Sequence, residues 1–173
     1  MSPIYTLDFE ASCLPQHGRS FPIEVGVAGP DGFAKAWLIK PDPAWDGWTW
    51  TPEAEALHGV TREQLARDGL PAEVVLDELR AVLRGQPAYA DSYLDARWMR
   101  LLEAAAGALP LVDVRHIDAL VDRLGIDDAG VARALQAANA GAFRRHRAAD
   151  DARWLQALVM GFQAEAAPVL VAA

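Results

Sequence analysis

The sequence predicts an α/β fold built on a mixed five-stranded sheet, three strands antiparallel and then two parallel, flanked by helices. Three observations lead there. The first 40 residues read as extended segments separated by turn residues, the chain turns to helical periodicity from position 52, and two short apolar segments interrupt that helical region. Consecutive strands on short links, followed by strand and helix in alternation, describe an antiparallel meander continued by parallel crossovers.

The strands of the meander are IYTLDFE, IEVGVAG and FAKAWLIK, with Gly, Pro and Asp between them and GPDG at 29–32 as a hairpin turn. The loop ASCLPQHGRSFP follows directly on the carboxylate-bearing end of the first strand. Residues 41–51, PDPAWDGWTWT, have neither helical nor strand period and carry three of the six tryptophans. Packing over the sheet edge explains them better than base stacking, although aromatic platforms do serve single-strand binders.

Thr51 is the expected N-cap of a helix that has Pro52 in its first turn and stops at Gly59; Thr61 and Gly69 bound the next one. PAEVVLDELRAVLRG sets Val74, Val75, Leu79, Val82 and Leu83 on one apolar stripe. QPAYAD is a short buried strand, SYLDARWMRLLEAAAG a helix and PLVDV a second short strand, and three helices broken near Gly125 and Gly141 run from Arg115 to about Glu165. No repeat, low-complexity tract or linker divides the chain, so a single domain over residues 1–173 is expected.

Composition narrows the chemistry. With 52% hydrophobic and 23% charged residues the chain can bury a core of its own. No stretch approaches the roughly 18 uninterrupted apolar residues of a membrane span, and MSPIYTLDFE lacks the parts of a secretory leader, so a cytoplasmic protein without membrane contact is expected. A lone cysteine, Cys13, rules out an internal disulfide and removes the usual ligand of structural zinc, leaving oxygen and imidazole for any metal. The net charge of −8 disfavours a protein that coats long nucleic acid through many cation–phosphate contacts. It leaves room for an enzyme that grips one chain end through bound cations. Arg144, Arg145, Arg147 and Arg153 cluster late in the chain, either as a solvated face or as a phosphate-facing patch.

Asp8 and Glu10 lie one residue apart at a strand end, so their side chains share a face and offer two hard oxygen ligands at one place. Such a triplet alone is a weak signal, because most acidic pairs simply meet water. Asp8, however, sits between Leu7 and Phe9 where burial is expected, and an unpaired buried carboxylate is expensive.

DFEAS at 8–12 followed by FPIEVGVA at 21–28 resembles the first motif of the DEDDh-type 3′-5′ exonucleases, the group of the polymerase III epsilon subunit, RNase T and oligoribonuclease, which have a ribonuclease H-like three-layer fold. His58 and Gly59 match the His-Gly pair common before a helix in that family. AYADSYLDARWM resembles the second motif, with Asp95 at the metal position, Asp91 where Asn is frequent and Leu94 where Phe is frequent. Asp91 is a rival carboxylate whose expected role is the helix N-cap. HRAADDA at 146–152 resembles the third motif and is the most specific of the three, giving His146 and Asp151; the adjacent Asp150 reads as a cap of the final helix.

The resemblance implies two divalent cations, magnesium or manganese, held by Asp8, Glu10, Asp95 and Asp151, with Asp8 bridging and Asp95 supporting the second ion. His146 is the implied general base, since an imidazole titrating near 6.5 can take a proton at neutral pH. The implied reaction releases nucleoside 5′-monophosphates from the 3′ end of single-stranded or short nucleic acid. Ala11, Ser12, Cys13, Leu14 and His58 are candidates, by position, for the terminal-nucleotide pocket. Several relatives are homodimers, which makes a homodimer one expected state.

Two other readings stand beside this one. In the first the chain is a proofreading or processing module docking on a larger partner, through Trp154, Leu155, Leu158, Val159 and Phe162 if that strip is exposed rather than core. In the second it is a non-catalytic, nucleic-acid-binding relative. RNA and DNA are not distinguished, because that choice rests on contacts to the 2′-hydroxyl.

Overall fold

The structure is a computed structural model and describes residues 3–171; the first two and last two residues of the expected 1–173 domain lie outside them. Five strands form one sheet in the order β3-β2-β1-β4-β5: β1 Tyr5–Ala11, β2 Pro22–Ala28, β3 Ala34–Leu38, β4 Ala88–Ala90 and β5 Val114–His116. β1 pairs antiparallel with β2, and β2 with β3, while β1–β4 and β4–β5 are parallel. The helices are α1 Pro52–His58, α2 Arg62–Asp68, α3 Ala72–Leu83, α4 Tyr93–Ala105, α5 Asp118–Leu124, α6 Asp128–Asn139 and α7 Ala148–Val171. This is the mixed α/β architecture expected from the sequence.

Two apolar clusters sandwich the sheet. One joins Leu7 and Phe9 of β1 to Val75, Leu76 and Leu79 of α3 and to Trp98, Met99 and Leu102 of α4. The other joins Tyr89 and Ile117 to Leu120, Ala134, Leu155, Leu158, Val159 and Phe162 of α5, α6 and α7. The apolar strip of the last helix is therefore core, and the exposed-strip basis for a docking module falls away. Trp45 is likewise buried and stacks on Phe21 at 5.5 Å, which is the packing explanation for the tryptophan-rich loop.

Helix starts follow the expected chemistry. Thr51 accepts from the Ala54 amide and Thr61 from the Gln64 amide, and Gly59 ends α1 in the left-handed conformation at φ 72°. Four details differ from the sequence reading. Ser92, not Asp91, caps α4 by accepting from the Leu94 amide, because Ser92 directly precedes the first helical residue. β5 lies at 114–116 rather than over 110–114, since Glu103 draws the Leu111 and Val112 amides out of register by accepting from both. Val74 is exposed and Leu76 buried, as the α3 stripe runs through Val75, Leu76, Leu79 and Leu83. α7 also continues past Glu165, to Val171.

Candidate active site

β1 occupies the middle of the sheet and delivers Asp8 and Glu10, both half-buried, beside the starts of α4 and α7. The α7 junction depends on Gly26, the cross-strand partner of Asp8: a Cβ there would stand 2.1 Å from the Ala148 carbonyl carbon. Without that side chain, β2 lets the first turn of α7 rest on the sheet. Thr6, on the Asp8 face of β1, donates its hydroxyl to the Ala152 carbonyl at 2.7 Å and ties helix to strand.

The carboxylates gather in two groups. Asp8, Asp91 and Asp95 each offer an oxygen within 4.8 Å of the others, and so do Glu10 and Asp151 with a ring nitrogen of His146. All six residues line one open cleft of about 290 Å³. Every metal and catalytic candidate from the sequence, Asp8, Glu10, Asp95, Asp151 and His146, is thus brought together here. Asp91, assigned to a cap, belongs with them. Its signal was present in the motif, where it stands at the position usually filled by a polar Asn.

Backbone amides orient the acids. Asp95 is 1% exposed; its Oδ1 accepts from the Phe9 amide at 3.1 Å, while its Oδ2 is buried with no partner among the described residues. Asp151 Oδ2 accepts from the His146 and Arg147 amides at 2.6 and 3.2 Å, closing the first turn of α7. Its Oδ1 lacks a hydrogen bond, although Arg145 Nε stands 2.7 Å away. Asp150 is no cap: it lies inside the helix and pairs with Arg153 at 3.0 Å. His146 adopts φ 63°, a left-handed conformation that turns the chain into α7.

The local field is strongly negative. Burial first, and then the charges of Asp95, Glu10, Asp151 and Asp91, hold Asp8 well above the usual carboxylate range. Burial, with Asp151 and Glu24 nearby, pushes Glu10 up to about 8, and burial with Asp91 pushes Asp95 up to about 7. Burial raises Asp151 as well, against the opposing pull of Arg145 and two amides. Acids arranged this way cannot all be ionised near neutral pH unless cations join them. The unpartnered oxygen on Asp95, in an all-oxygen and imidazole donor set, fits hard divalent ions.

Three of the four late arginines are engaged by side chains. Arg145 pairs with Asp151 and lies over the Trp154 ring at 4.5 Å, Arg147 forks onto buried Glu24, and Arg153 holds Asp150.

Of the pocket candidates, Ala11, Cys13, Leu14 and His58 line the cleft. Ser12 does not: it is fully buried, and its hydroxyl accepts from the Phe21 amide. The Ser12 carbonyl instead receives the Thr51 amide and so anchors α1 beside the site. His58 Nδ1 accepts from the Val60 amide at 3.0 Å, which puts the proton of the neutral ring on Nε2. That Nε2 is buried and unpartnered, and burial lowers the ring's pKa. Ala54, Leu57 and Trp98 also line the cleft; Ala54 shares a face of α1 with His58 by helical spacing, a signal available in the sequence.

No protein-family model matches this chain, and no curated protein matches it by sequence. Solved structures do match in fold. One is a 3′-exonuclease described in 3′-end-specific recognition of a histone mRNA stem-loop, at 15% identity and TM-score 0.68 over 94% of this chain and 64% of that one. The chain has the ribonuclease H-like fold of such exonucleases. Cell-death related nuclease 4 matches at 15% identity and TM-score 0.65, over 93% of this chain and 63% of that one. Exonuclease I of E. coli, in a zinc-bound complex with single-stranded DNA, matches at 14% identity and TM-score 0.63, over 99% of this chain and 43% of that one. This chain therefore spans under two thirds of each of these neighbours.

Among the described residues, no helix is long and apolar enough to cross a membrane.

Proposed function

We propose that this chain is a metal-dependent 3′-to-5′ exonuclease of the DEDDh type, a single domain acting on the 3′ end of single-stranded or short nucleic acid. One observation carries the reading: two acid groups, Asp8–Asp91–Asp95 and Glu10–His146–Asp151, face one cleft with a partnerless buried oxygen on Asp95. The nuclease fold of the neighbours, and the zinc-bound complex of one of them with single-stranded DNA, support it.

Asp8, Asp91 and Asp95 would hold one ion, and Glu10 and Asp151 the other, with Asp8 central on β1. Magnesium or manganese bound there supplies charge neutralisation for the attacking and leaving oxygens and acidifies water. His146 takes the proton of the attacking water. The bond from phosphorus to the 3′ oxygen of the preceding nucleotide breaks, which frees a nucleoside 5′-monophosphate and leaves a new 3′-hydroxyl. His58, Ala11, Cys13 and Leu14 form the wall beside the terminal nucleotide.

A time course on matched 5′-labelled RNA and DNA oligonucleotides with manganese tests this reading. The expected result is a ladder shortening one nucleotide at a time from the 3′ end, with 5′-monophosphates as products. Internal cuts, or intact substrate on both nucleic acids, would sink it.

A further inference from the structure

Tyr93, the first residue of α4, leaves 73% of its surface exposed. A single exposed aromatic needs no explanation. Tyr93 differs because it is braced: its ring stacks on His116 with centroids 4.1 Å apart and planes within 8°. His116 is fixed in turn from both ring nitrogens. Nε2 reaches the Asp91 carbonyl at 3.0 Å, so Nε2 carries a proton, and Nδ1 lies 3.0 Å from the Asp118 carboxylate and 3.3 Å from the Asp118 amide. Two aromatic rings are thus held parallel, with one member open to water.

The stack adjoins the cleft through its chain neighbours, while neither ring lines the cleft itself. Ala90 and His116 are paired at the carboxyl ends of the parallel strands β4 and β5, the edge outside which ligands sit in open α/β sheets. Asp91, Ser92, Leu94 and Asp95, on either side of Tyr93 in the chain, all line the cleft.

We propose that the Tyr93–His116 stack is a platform for the base of a nucleotide upstream of the 3′-terminal one. This rests on the exonuclease reading, which seats the terminal nucleotide in the cleft. A flat, fixed ring accepts the π-face of any base, whereas the bases of a duplex have their faces covered by neighbours. The Asp118 carboxylate, 3.0 Å from His116 Nδ1, disfavours phosphate beside the stack, so contact is made through the base and not the backbone. The platform therefore selects single-stranded ends longer than one nucleotide, without sequence preference.

The test compares a hexanucleotide with a one-nucleotide substrate, the p-nitrophenyl ester of thymidine 5′-monophosphate, under manganese. In Tyr93→Ala the ratio of kcat/KM for the hexamer to that for the ester should fall about 5- to 100-fold, while Tyr93→Phe should keep the wild-type ratio. An unchanged ratio in Tyr93→Ala overturns the platform. If the wild type cleaves neither substrate, the exonuclease reading has failed. The platform then stands or falls on anisotropy of a 5′-labelled hexamer with calcium: weaker binding by Tyr93→Ala than by Tyr93→Phe supports it, and equal dissociation constants overturn it. The high exposure of Tyr93 keeps both variants folded.

Discussion

Glu24 and Arg147, 123 positions apart in the chain, meet in a forked ion pair, with Nε to Oε2 at 3.1 Å and Nη2 to Oε1 at 2.7 Å. Glu24 also accepts from the Ala148 amide at 3.3 Å and sits opposite Glu10 in the β1–β2 register. It therefore fixes the segment that carries His146 and Asp151 onto the strand beside the one that carries Asp8 and Glu10. Glu24→Ala strands the guanidinium and an amide together. Breaking a fully buried pair costs ~3–5 kcal/mol, and the 30% exposure of Arg147 lowers the expectation to about 2–3 kcal/mol, read by urea denaturation. A loss under ~0.5 kcal/mol would show that the pair does not hold α7 in place.

The metal-free protein should lose stability as the pH rises from about 5 to about 8. Glu10 at about 8 and Asp95 at about 7 lie above their ordinary values of 4.5 and 3.8, so across this window the folded chain holds more protons than the unfolded one. Stability from a raised pKa is complete below the unfolded value and is lost on passing through the folded one. In EDTA, Tm should fall across that window, and manganese should raise it more at about pH 8 than at about pH 5. The exposed carboxylates whose pKa is lowered, such as Asp68, Glu78 and Glu165, titrate below this range. A flat or rising Tm in EDTA contradicts the acid-cluster account.

His146 holds φ 63°, so the informative replacement is Asn, which tolerates the left-handed region better than Ala. His146→Asn should lower kcat on oligonucleotides about 10²–10⁴-fold, with manganese affinity changed by no more than a few fold. Full activity at neutral pH would remove the imidazole from the mechanism.

Arg145 competes with a cation for Asp151 Oδ1, which it approaches to 2.7 Å while half exposed. Pairs of this exposure are worth ~0.2–1 kcal/mol, so Arg145→Ala should tighten manganese binding up to about fivefold in calorimetry. Weaker binding in that variant would mean that Arg145 supports the ion site instead.

The fold was legible because its signals are local: alternation in IYTLDFE, the threonine caps, and the glycine that ends α1. Strand alternation puts Asp8 and Glu10 on one face, while their reading as metal ligands, like the reading of His146 and Asp151, rests on the resemblance of their motifs. Asp91 and Ser12 were misassigned for a physical reason. Both are short polar residues at element ends, where one position decides between facing the cleft and bonding the backbone, and Ser92 and Phe21 settle that choice. Glu24 escaped notice because its importance depends on Arg147, a contact that exists only once β2 and α7 have packed through Gly26. The buried partnerless Nε2 of His58 is likewise a tertiary fact, although the residue itself was named from its motif.

The central claim is that the two acid groups are halves of one dinuclear hydrolytic centre, and isothermal titration of manganese at about pH 8 tests it most directly. Two ions per chain are expected for the wild type and one at micromolar concentration for Asp95→Asn and for Asp8→Asn, each of which removes a ligand of the Asp8–Asp91–Asp95 group. No binding by the wild type, or two ions retained in Asp8→Asn, would contradict the account.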